Sequence, residues 1–275
     1  MANCAAFVLV AESCRVLQCC WSGVWSAYGG NKMWRRVISP FQEFGIAAGG
    51  LYALDRVLRS MSPRLGLFVY ELMVQPITGK PMLSANLAKN LKFVEIGRDH
   101  ADIELMPARP DIKVSRFDQG AVCLGAYRKD KLIGYIWFGF RSYEEDEVRC
   151  TYELAHPEHS VFDFDLYVMP EHRMGIGFMA IWHGANAYLH ERGIQYTFSR
   201  LTRFNLASRR SHAHLGWKCA ARAVFLHAWH IELMLATVLP YIALTWTPSQ
   251  RTRLRLATDV LGPPTVDNAA VRRSA

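Results

Sequence analysis

The sequence has little of what marks membrane-spanning, secreted or nucleic-acid-binding proteins. The mainly apolar stretch from Ile231 to Trp246 has 16 residues and is interrupted by Pro240, so it is too short to span a bilayer comfortably. The apolar segment from Ala5 to Val10 is shorter still, and no lysine or arginine precedes it as a signal peptide would require. No lysine-rich run or aromatic-interleaved basic motif is present, and we therefore expect no nucleic-acid partner.

Cysteine is present, but not in a pattern that forms a framework. The seven cysteines are an odd number without regular spacing, which argues against a disulfide scaffold and favours a reducing, cytoplasmic setting. Cys14, Cys19 and Cys20 lie close together, yet no histidine occurs in the first ninety residues to complete a metal site with them. We therefore expect no metal.

The chain has enough apolar residues to bury a substantial core. It has 275 residues, of which 51% are hydrophobic and 12% aromatic. The formal net charge of +8 is spread along the chain rather than concentrated. Such a balance suits an anionic cofactor, and it equally suits weak attraction to an anionic membrane surface.

Composition divides the chain into four segments. Residues 1–32 show no clear periodicity of apolar residues and are expected to be a poorly structured extension. It is equally open whether translation begins at Met1 or at Met33. Residues 33–66 contain an amphipathic helix, with apolar residues at three- and four-residue steps from Phe44 to Met61. Residues 67–240 form the main domain, and residues 241–275 are expected to be a loosely held basic tail.

Two positions are open for the N-terminal helix. It either packs on the main domain or lies at a membrane surface. Trp34, Arg35 and Arg36 precede it and favour the second position, because aromatic and basic residues suit the lipid headgroup region.

The stretch from Val161 to Phe178 carries the clearest signal. Aromatic and β-branched residues from Val161 to Val168 predict a buried strand, which Pro170 ends. A basic, glycine-containing turn from His172 to Gly177 follows, and a helix opens directly after it. Backbone N–H groups at a helix N-terminus are unpaired and the helix dipole favours negative charge there. We therefore expect a pyrophosphate at this turn.

Further elements flank this stretch. Ala121 to Tyr127 and Leu132 to Phe140 predict a hairpin, and the helix after Gly177 is expected to end near Gly193. Ile194 to Leu201 predicts a strand, and Asn205 to Leu215 a short helix. Two closing strands are expected near residues 223–226 and 231–236.

This order of elements and two motifs resemble the GCN5-related N-acetyltransferase (GNAT) superfamily. Its central motif has a strand ending in Val-x-Pro, then Gln/Arg-x-x-Gly-x-Gly/Ala; here stand Val168-Met-Pro170 and Gly175-Ile-Gly177, with His172 at the basic position. Its downstream motif is matched in spacing by Asn205, Ser208, His212, Gly216 and Trp217, with His212 where the family often has a tyrosine. The resemblance covers roughly residues 115–236.

The resemblance implies an α/β (α+β) fold with a mixed, mostly antiparallel central sheet flanked by helices. It also implies acetyl-CoA as co-substrate, with the pyrophosphate on the backbone of Arg173, Met174, Gly175, Ile176 and Gly177. The pantetheine arm would lie along Leu166, Tyr167 and Val168, where a backbone N–H of Tyr167 or Val168 would stabilise the developing oxyanion. Asn205 and Ser208 would face the same cofactor.

Four side chains are candidates for proton transfer. An acceptor amine arrives mostly as ammonium, so a base must remove a proton before attack. Asp163 and Asp165 are expected to share one face of the strand, where mutual repulsion can raise one pKa. Glu147, in the acidic cluster after Tyr143, is a further candidate base or part of an electrostatic lure for a cationic substrate, but the cluster favours a solvated loop over either role. His212 could protonate the leaving thiolate, or could simply fill the space of the family's tyrosine.

The sequence thus predicts a cytoplasmic N-acyltransferase that acts on a small-molecule or peptide amine. The alternative is a non-catalytic GNAT-like module that binds CoA or a partner, at a membrane surface if the N-terminal helix lies there. The sequence does not predict the oligomeric state.

Overall fold

The computed structural model describes residues 40–213 and 215–261. The predicted extension over residues 1–32, His214 and the end of the predicted tail lie outside the described residues. In chain order the elements are α1 (Ile46–Met61), β1 (Leu65–Pro76), α2 (Ala85–Ala88), β2 (Leu91–Ile96), α3 (Pro110–Asp118), β3 (Val122–Arg128), β4 (Lys131–Gly139), β5 (Ser142–Glu144), β6 (Cys150–Leu154), β7 (Ser160–Val168), α4 (Gly177–Glu191), β8 (Tyr196–Thr202), α5 (Leu206–Ala213), β9 (Lys218–Ala228), β10 (Ile231–Ala236), β11 (Ile242–Thr245) and β12 (Thr252–Leu256).

Nine strands form one sheet in the order β11-β10-β9-β1-β8-β7-β4-β3-β2. Within it β7 and β8 run parallel, and every other neighbouring pair is antiparallel. The other three strands of the described residues form a smaller sheet in the order β12-β6-β5. The predicted fold class, a mostly antiparallel mixed sheet with flanking helices, is confirmed.

The large sheet is covered differently on its two faces. On one face α4 packs across β3 and β4, and its apolar side, with Ile181, Trp182 and Ala185, is completely buried. On the other face lies an aromatic core that includes Tyr143, Tyr152 and Phe162. We call these the helix face and the aromatic face. The small sheet contributes Tyr152 and Leu254 to the aromatic face.

The N-terminal helix packs along β1. α1 begins at Ile46, after Gly45, whose φ of 81° is easy for glycine. Asp55 anchors the helix, because its carboxylate accepts hydrogen bonds from the Leu67 backbone N–H and from Arg59. Leu54, Val57 and Met61 remain exposed. Between residues 40 and 261, leaving out 214, no helix is long and apolar enough to cross a membrane.

The first part of the expected tail is ordered structure, contrary to the expectation of a loosely held segment from residue 241. β11 pairs with β10 at the edge of the large sheet, and β12 pairs in parallel with β6. Leu254 and Leu256 are buried, whereas Arg253, before them, and Arg255, between them, are exposed. The arginine content of this segment indicated a tail, but buried and exposed residues alternate from Thr252 to Leu256, as in a half-buried strand.

Candidate functional site

A cleft opens where the two parallel strands separate. β7 and β8 pair only from Ser160 to Asp163 on one strand and from Tyr196 to Ser199 on the other. Beyond this point β7 stays paired with β4, and β8 stays paired with β1. The sheet is therefore split between the C-terminal halves of β7 and β8, and we call the point of separation the fork. The predicted cofactor-binding residues Leu166, Tyr167 and Val168 line the β7 side of this cleft.

A bulge in β7 lies immediately beyond the fork. The register between β4 and β7 shifts between Tyr135 and Trp137, and Asp165 has a φ of 47°. Aspartate tolerates this left-handed region better than most residues. Because a bulge inserts an extra residue, it interrupts the alternation of side chains along the strand.

The bulge places the two predicted catalytic aspartates on opposite faces of the sheet, so the expectation that they share a face is wrong. Val161 and Asp163 point to the helix face, where Thr197 of β8 binds Asp163. Asp165 instead binds Arg116, whose guanidinium lies over Trp137 and Phe164 of the aromatic face. A regular alternation of side chains along β7, which the sequence suggests, would place both aspartates on one face. No residue type in the sequence marks the bulge that breaks the alternation.

Asp163 is enclosed at the fork. It is almost completely buried, and its carboxylate accepts a hydrogen bond of 2.6 Å from the Thr197 hydroxyl. Burial raises the pKa of Asp163 to about 7, although the hydroxyl groups of Thr197 and Ser199 oppose the shift. The carboxyl group can therefore gain or lose a proton near neutral pH.

Asp165 belongs to a buried ion-pair network that the sequence did not reveal. Arg116 of α3 donates to Asp165 at 2.5 Å and to Asp146 at 2.7 Å. The Arg116 side chain is only 7% exposed, whereas that of Asp165 is 29% exposed. Burial raises the pKa of Asp165, and the Arg116 charge opposes the rise. Asp165 thus presents a partly accessible carboxylate whose position is fixed by a buried guanidinium.

The acidic cluster after Tyr143 is not a solvated loop. We call residues 145–147 the acidic loop. Arg200 of β8 donates to both Glu145 and Glu147 at 2.8 Å, and the Tyr70 hydroxyl also donates to Glu147. Since Asp146 pairs with Arg116, the loop bridges the β7 side and the β8 side of the cleft. Burial raises the pKa of Glu145, while the Arg200 charge keeps the pKa of Glu147 below its usual range against the effect of burial.

The glycine turn leads directly into α4. A short 3₁₀ turn over Pro170–His172 precedes it, and α4 begins at Gly177. A Cβ on Gly177 would lie 2.6 Å from Val168 Cγ1 and 2.8 Å from the His172 carbonyl oxygen, so the close approach requires glycine. A Cβ on Gly175 would meet nothing closer than the His172 carbonyl oxygen at 3.9 Å. Gly175 therefore borders open space.

That space is a shallow pocket of about 220 Å³ at the N-terminus of α4. The predicted residues Met174, Gly175, Ile176 and Gly177 line it. Arg128, from the end of β3, also lines it and was missed by the sequence, because only the fold brings the β3–β4 hairpin to this turn. Backbone N–H groups and a guanidinium together form a site suited to an anion.

The Arg173 side chain packs against β7 and stabilises the turn, and it does not point into the pocket. Its Nε donates to the Val168 carbonyl oxygen at 3.1 Å, and its guanidinium lies over the Tyr167 ring. Of the five residues predicted to hold the pyrophosphate, Arg173 is the one that does not line the pocket. Met174, by contrast, is 91% exposed.

The cleft edge of β7 offers the backbone of Val168 rather than that of Tyr167. The Met169 N–H donates to the Ile133 carbonyl of β4. Because successive residues of a strand direct their backbone groups to opposite sides, the N–H and C=O of Val168 point into the cleft. Of the two N–H groups predicted to stabilise an oxyanion, the one on Val168 has the suitable direction.

Asn205 and Ser208 shape the start of α5. The Asn205 side-chain oxygen accepts a hydrogen bond of 3.0 Å from the Ser208 backbone N–H, which is an N-cap interaction. The Ser208 hydroxyl lies 3.3 Å from His212 Nδ1. Both residues are half-buried, and their predicted contact with the cofactor stays a prediction.

His212 is enclosed by aromatic rings. It packs edge-on against Phe178, Trp182 and Trp217, and is 5% exposed. Burial lowers the pKa of His212, and its Nδ1 lies 2.6 Å from the Ser208 carbonyl oxygen. A neutral ring with its proton on Nδ1 would donate to that carbonyl and would leave Nε2 without a proton to give. This arrangement supports the packing alternative over the proton donor.

No group of three or more histidine, cysteine or acidic side chains suited to a metal ion occurs within the described ranges, 40–213 and 215–261. The fork brings carboxylates and backbone N–H groups close to the glycine turn at the start of α4.

Residues 93–217 match the model of the Acetyltransferase (GNAT) family. The match includes the fork, the glycine turn and α5. This region of the chain belongs to the GNAT superfamily. No curated protein matches the chain.

Several solved structures are similar to part of this chain at low sequence identity. A tandem GNAT protein from the clavulanic acid biosynthesis pathway is 15% identical with a TM-score of 0.41, over 59% of this chain and 53% of that one. A conserved Staphylococcus epidermidis protein of unknown function is 12% identical with a TM-score of 0.42, over 63% and 66%. A GCN5-related N-acetyltransferase from Ralstonia eutropha is 18% identical with a TM-score of 0.33, over 46% and 92%. The chain thus spans between half and two thirds of the first two.

Proposed function

We propose that the protein is an N-acyltransferase that moves an acetyl group from acetyl-CoA to a primary amine by direct attack in a ternary complex. The observation that carries this proposal is the fork: an open edge of β7 leads directly to a glycine turn at the N-terminus of α4. A linear molecule with an anionic end fits such a path, because the strand edge offers hydrogen bonds and the turn attracts the anion.

The glycine turn suits the pyrophosphate of acetyl-CoA. The backbone N–H groups from Arg173 to Gly177 would donate to phosphate oxygens, and the Arg128 guanidinium would add charge from the β3–β4 hairpin. Gly175 leaves room for a phosphate group beside the backbone, whereas Gly177 lets α4 approach Val168 closely. The residues present therefore fit the ligand that the GNAT fold implies.

The cleft edge of β7 would align the acyl group. Val168 directs its N–H into the cleft, and a donor fixed in this way can stabilise negative charge that develops on an acyl oxygen. Much of the rate gain would come from holding the two reactants in position, since positioning alone can contribute several kcal/mol, roughly 7–11 in favourable cases.

Asp165 is the group that we assign to proton acceptance. It lies in the bulge of β7, on the β7 side of the cleft, and it is the more accessible of the two predicted catalytic aspartates. Arg116 fixes its carboxylate, so an acceptor ammonium could donate to it before attack. Asp163, buried on the helix face, would stabilise the fork through its hydrogen bond with Thr197 of β8.

Release of CoA from acetyl-CoA, measured with a broad panel of primary amines, tests the proposal. At least one amine should accelerate release, and Asp165→Asn should slow that reaction by about 10²- to 10⁴-fold, the usual size of a general-base contribution. If acetyl-CoA binds while both the amine panel and a panel of longer acyl-CoA donors give no reaction, the protein is not an acyltransferase of this kind.

A further inference from the structure

The cleft carries more negative charge than its own arginines can neutralise. Four carboxylates meet there: the three of the acidic loop and Asp165. Two guanidiniums, Arg116 and Arg200, pair with them, which leaves an excess of two negative charges when all four carboxylates are ionised. Arg59 acts on Glu147 and Arg251 donates to the Glu145 carbonyl oxygen, but each of these arginines also pairs with a further carboxylate, Asp55 and Glu144 respectively, so the excess stays at two. This excess is local, since the whole chain has a formal charge of +8.

The excess faces an accessible part of the cleft. The side chains of Glu147 and Asp165 are 31% and 29% exposed, while their arginine partners are more deeply buried. Carboxylates at a cleft with low-dielectric walls attract cations more strongly than the same groups on an open surface. The exposed sides of the carboxylates are therefore free to contact a cationic ligand.

A buried hydroxyl group at the same place lacks a partner. The Tyr135 ring stacks on Tyr167 at 5.5 Å and is completely buried, yet its hydroxyl makes no hydrogen bond. Asp165 and Arg116 are the charged groups that act on it. A buried hydroxyl without a partner is costly, and it can both donate and accept a hydrogen bond. A ligand ammonium that displaces its surroundings beside Asp165 would give this hydroxyl a partner.

We propose that Asp165 and the acidic loop bind an acceptor with a second positive charge besides the amine that reacts, as in a diamine or polyamine. The reacting ammonium lies at Asp165 and the Tyr135 hydroxyl, and the second cation lies at Glu147 and Asp146. Both excess charges are then neutralised by one substrate. This inference rests on the proposed acyltransferase function and assigns its acceptor class.

Putrescine and n-butylamine test the proposal, because they have the same carbon chain and differ by one amino group. With wild-type protein and saturating acetyl-CoA at low ionic strength, kcat/KM should be about tenfold higher for putrescine, which corresponds to about 1.4 kcal/mol. Raising the salt concentration should reduce this ratio, since about 1 M salt shortens the Debye length to about 3 Å. Calorimetry of both amines with the CoA-loaded protein should show the same preference without turnover.

A variant of the acidic loop locates the effect. Glu147→Gln should raise KM for putrescine about fivefold or more while KM for n-butylamine changes little, as expected for a partly exposed ion pair. Glu153→Gln is the matched control, because Glu153 of β6 pairs with Arg253 of β12 rather than with an arginine of the cleft, and it should change neither value. Thermal melting of each variant establishes that it is folded.

The outcomes separate the two proposals. Equal kcat/KM for the two amines, with acetyl-CoA bound and CoA released, overturns the diamine acceptor and leaves the acyltransferase intact. A preference for a basic peptide with no reaction of putrescine or spermidine also overturns it. If acetyl-CoA does not bind, the acyltransferase fails and the acceptor assignment fails with it.

Discussion

At the scale of single residues, Asp163 combines complete burial with a hydrogen bond from Thr197, and these two properties set its protonation. Burial raises its folded-state pKa to about 7, above the value near 4 expected in the unfolded chain. The protonated carboxyl therefore stabilises the fold fully below about pH 4, and this stability is lost as pH rises through about 7.

Asp163→Asn should remove this dependence. The amide cannot ionise and its oxygen can still accept the Thr197 hydrogen bond, so the variant should gain stability relative to wild type between pH 4 and 7. A shift of about three pKa units corresponds to at most about 4 kcal/mol. Thermal melting of both proteins across this pH range measures the difference. Parallel melting curves at every pH would show that Asp163 ionises in the folded protein as it does in water.

His212→Phe tests whether the His212 ring donates a proton or only packs. A phenylalanine ring can pack against Phe178, Trp182 and Trp217 in the same space, although the contact with the Ser208 carbonyl is lost. We expect turnover within about threefold of wild type, because removal of a true general acid typically costs about 10²- to 10⁴-fold. Steady-state kinetics with a reactive amine measures the turnover of both proteins. A loss of a hundredfold at unchanged acetyl-CoA affinity would establish His212 as the proton donor.

The sequence indicated most of the site residues but not their directions. Gly175, Gly177 and Val168 stand out because proline and glycine mark the ends of elements. The separation of Asp163 from Asp165 was hidden, since a bulge depends on pairing with β4 and not on a residue type. Arg116 and Arg128 were hidden for a related reason: each reaches its partners only through long-range packing.

At the scale of elements, β12 shows that the small sheet belongs to the folded core. Leu254 is completely buried beside Tyr152, whereas Arg255 on the same strand is exposed. Leu254→Ala should lower the free energy of unfolding by about 2–5 kcal/mol, because it leaves a cavity in the aromatic core. Arg255→Ala is the control from the opposite side of the strand and should change it by less than about 0.5 kcal/mol.

Urea denaturation measures both variants. Equal, small effects would mean that β12 contributes no packing and that the segment after residue 241 is loosely held, as its arginine content first suggested.

Element prediction succeeded where the pattern was local. The β3–β4 hairpin, α4 and the strand β7 follow from turn residues and hydrophobic period, and all appear near their expected bounds. α3 was missed, although Pro110 at its start is a common first helical residue, because its apolar period is weak. β12 is only five residues long, and its alternation becomes clear only when it pairs with β6.

At the scale of the whole molecule, the fork organises two different surfaces. The helix face carries the glycine turn, where the positive end of the α4 dipole and Arg128 adjoin one pocket. The aromatic face carries the acidic loop and Asp165, where negative groups collect. An anionic acyl donor and a cationic acceptor would therefore approach one gap in the sheet from sides of opposite charge. Neither the gap nor this charge separation can be seen before the chain is folded.

Binding of acetyl-CoA at the glycine turn is the central claim, and titration calorimetry with two variants of one residue tests it. Gly175→Ala adds a methyl group in open space and should bind acetyl-CoA with nearly the wild-type Kd. Gly175→Glu adds bulk and negative charge where the pyrophosphate is expected, and should weaken binding by at least about a hundredfold, or about 2.7 kcal/mol. If acetyl-CoA binds the glutamate variant as tightly as wild type, the pyrophosphate does not lie at this turn.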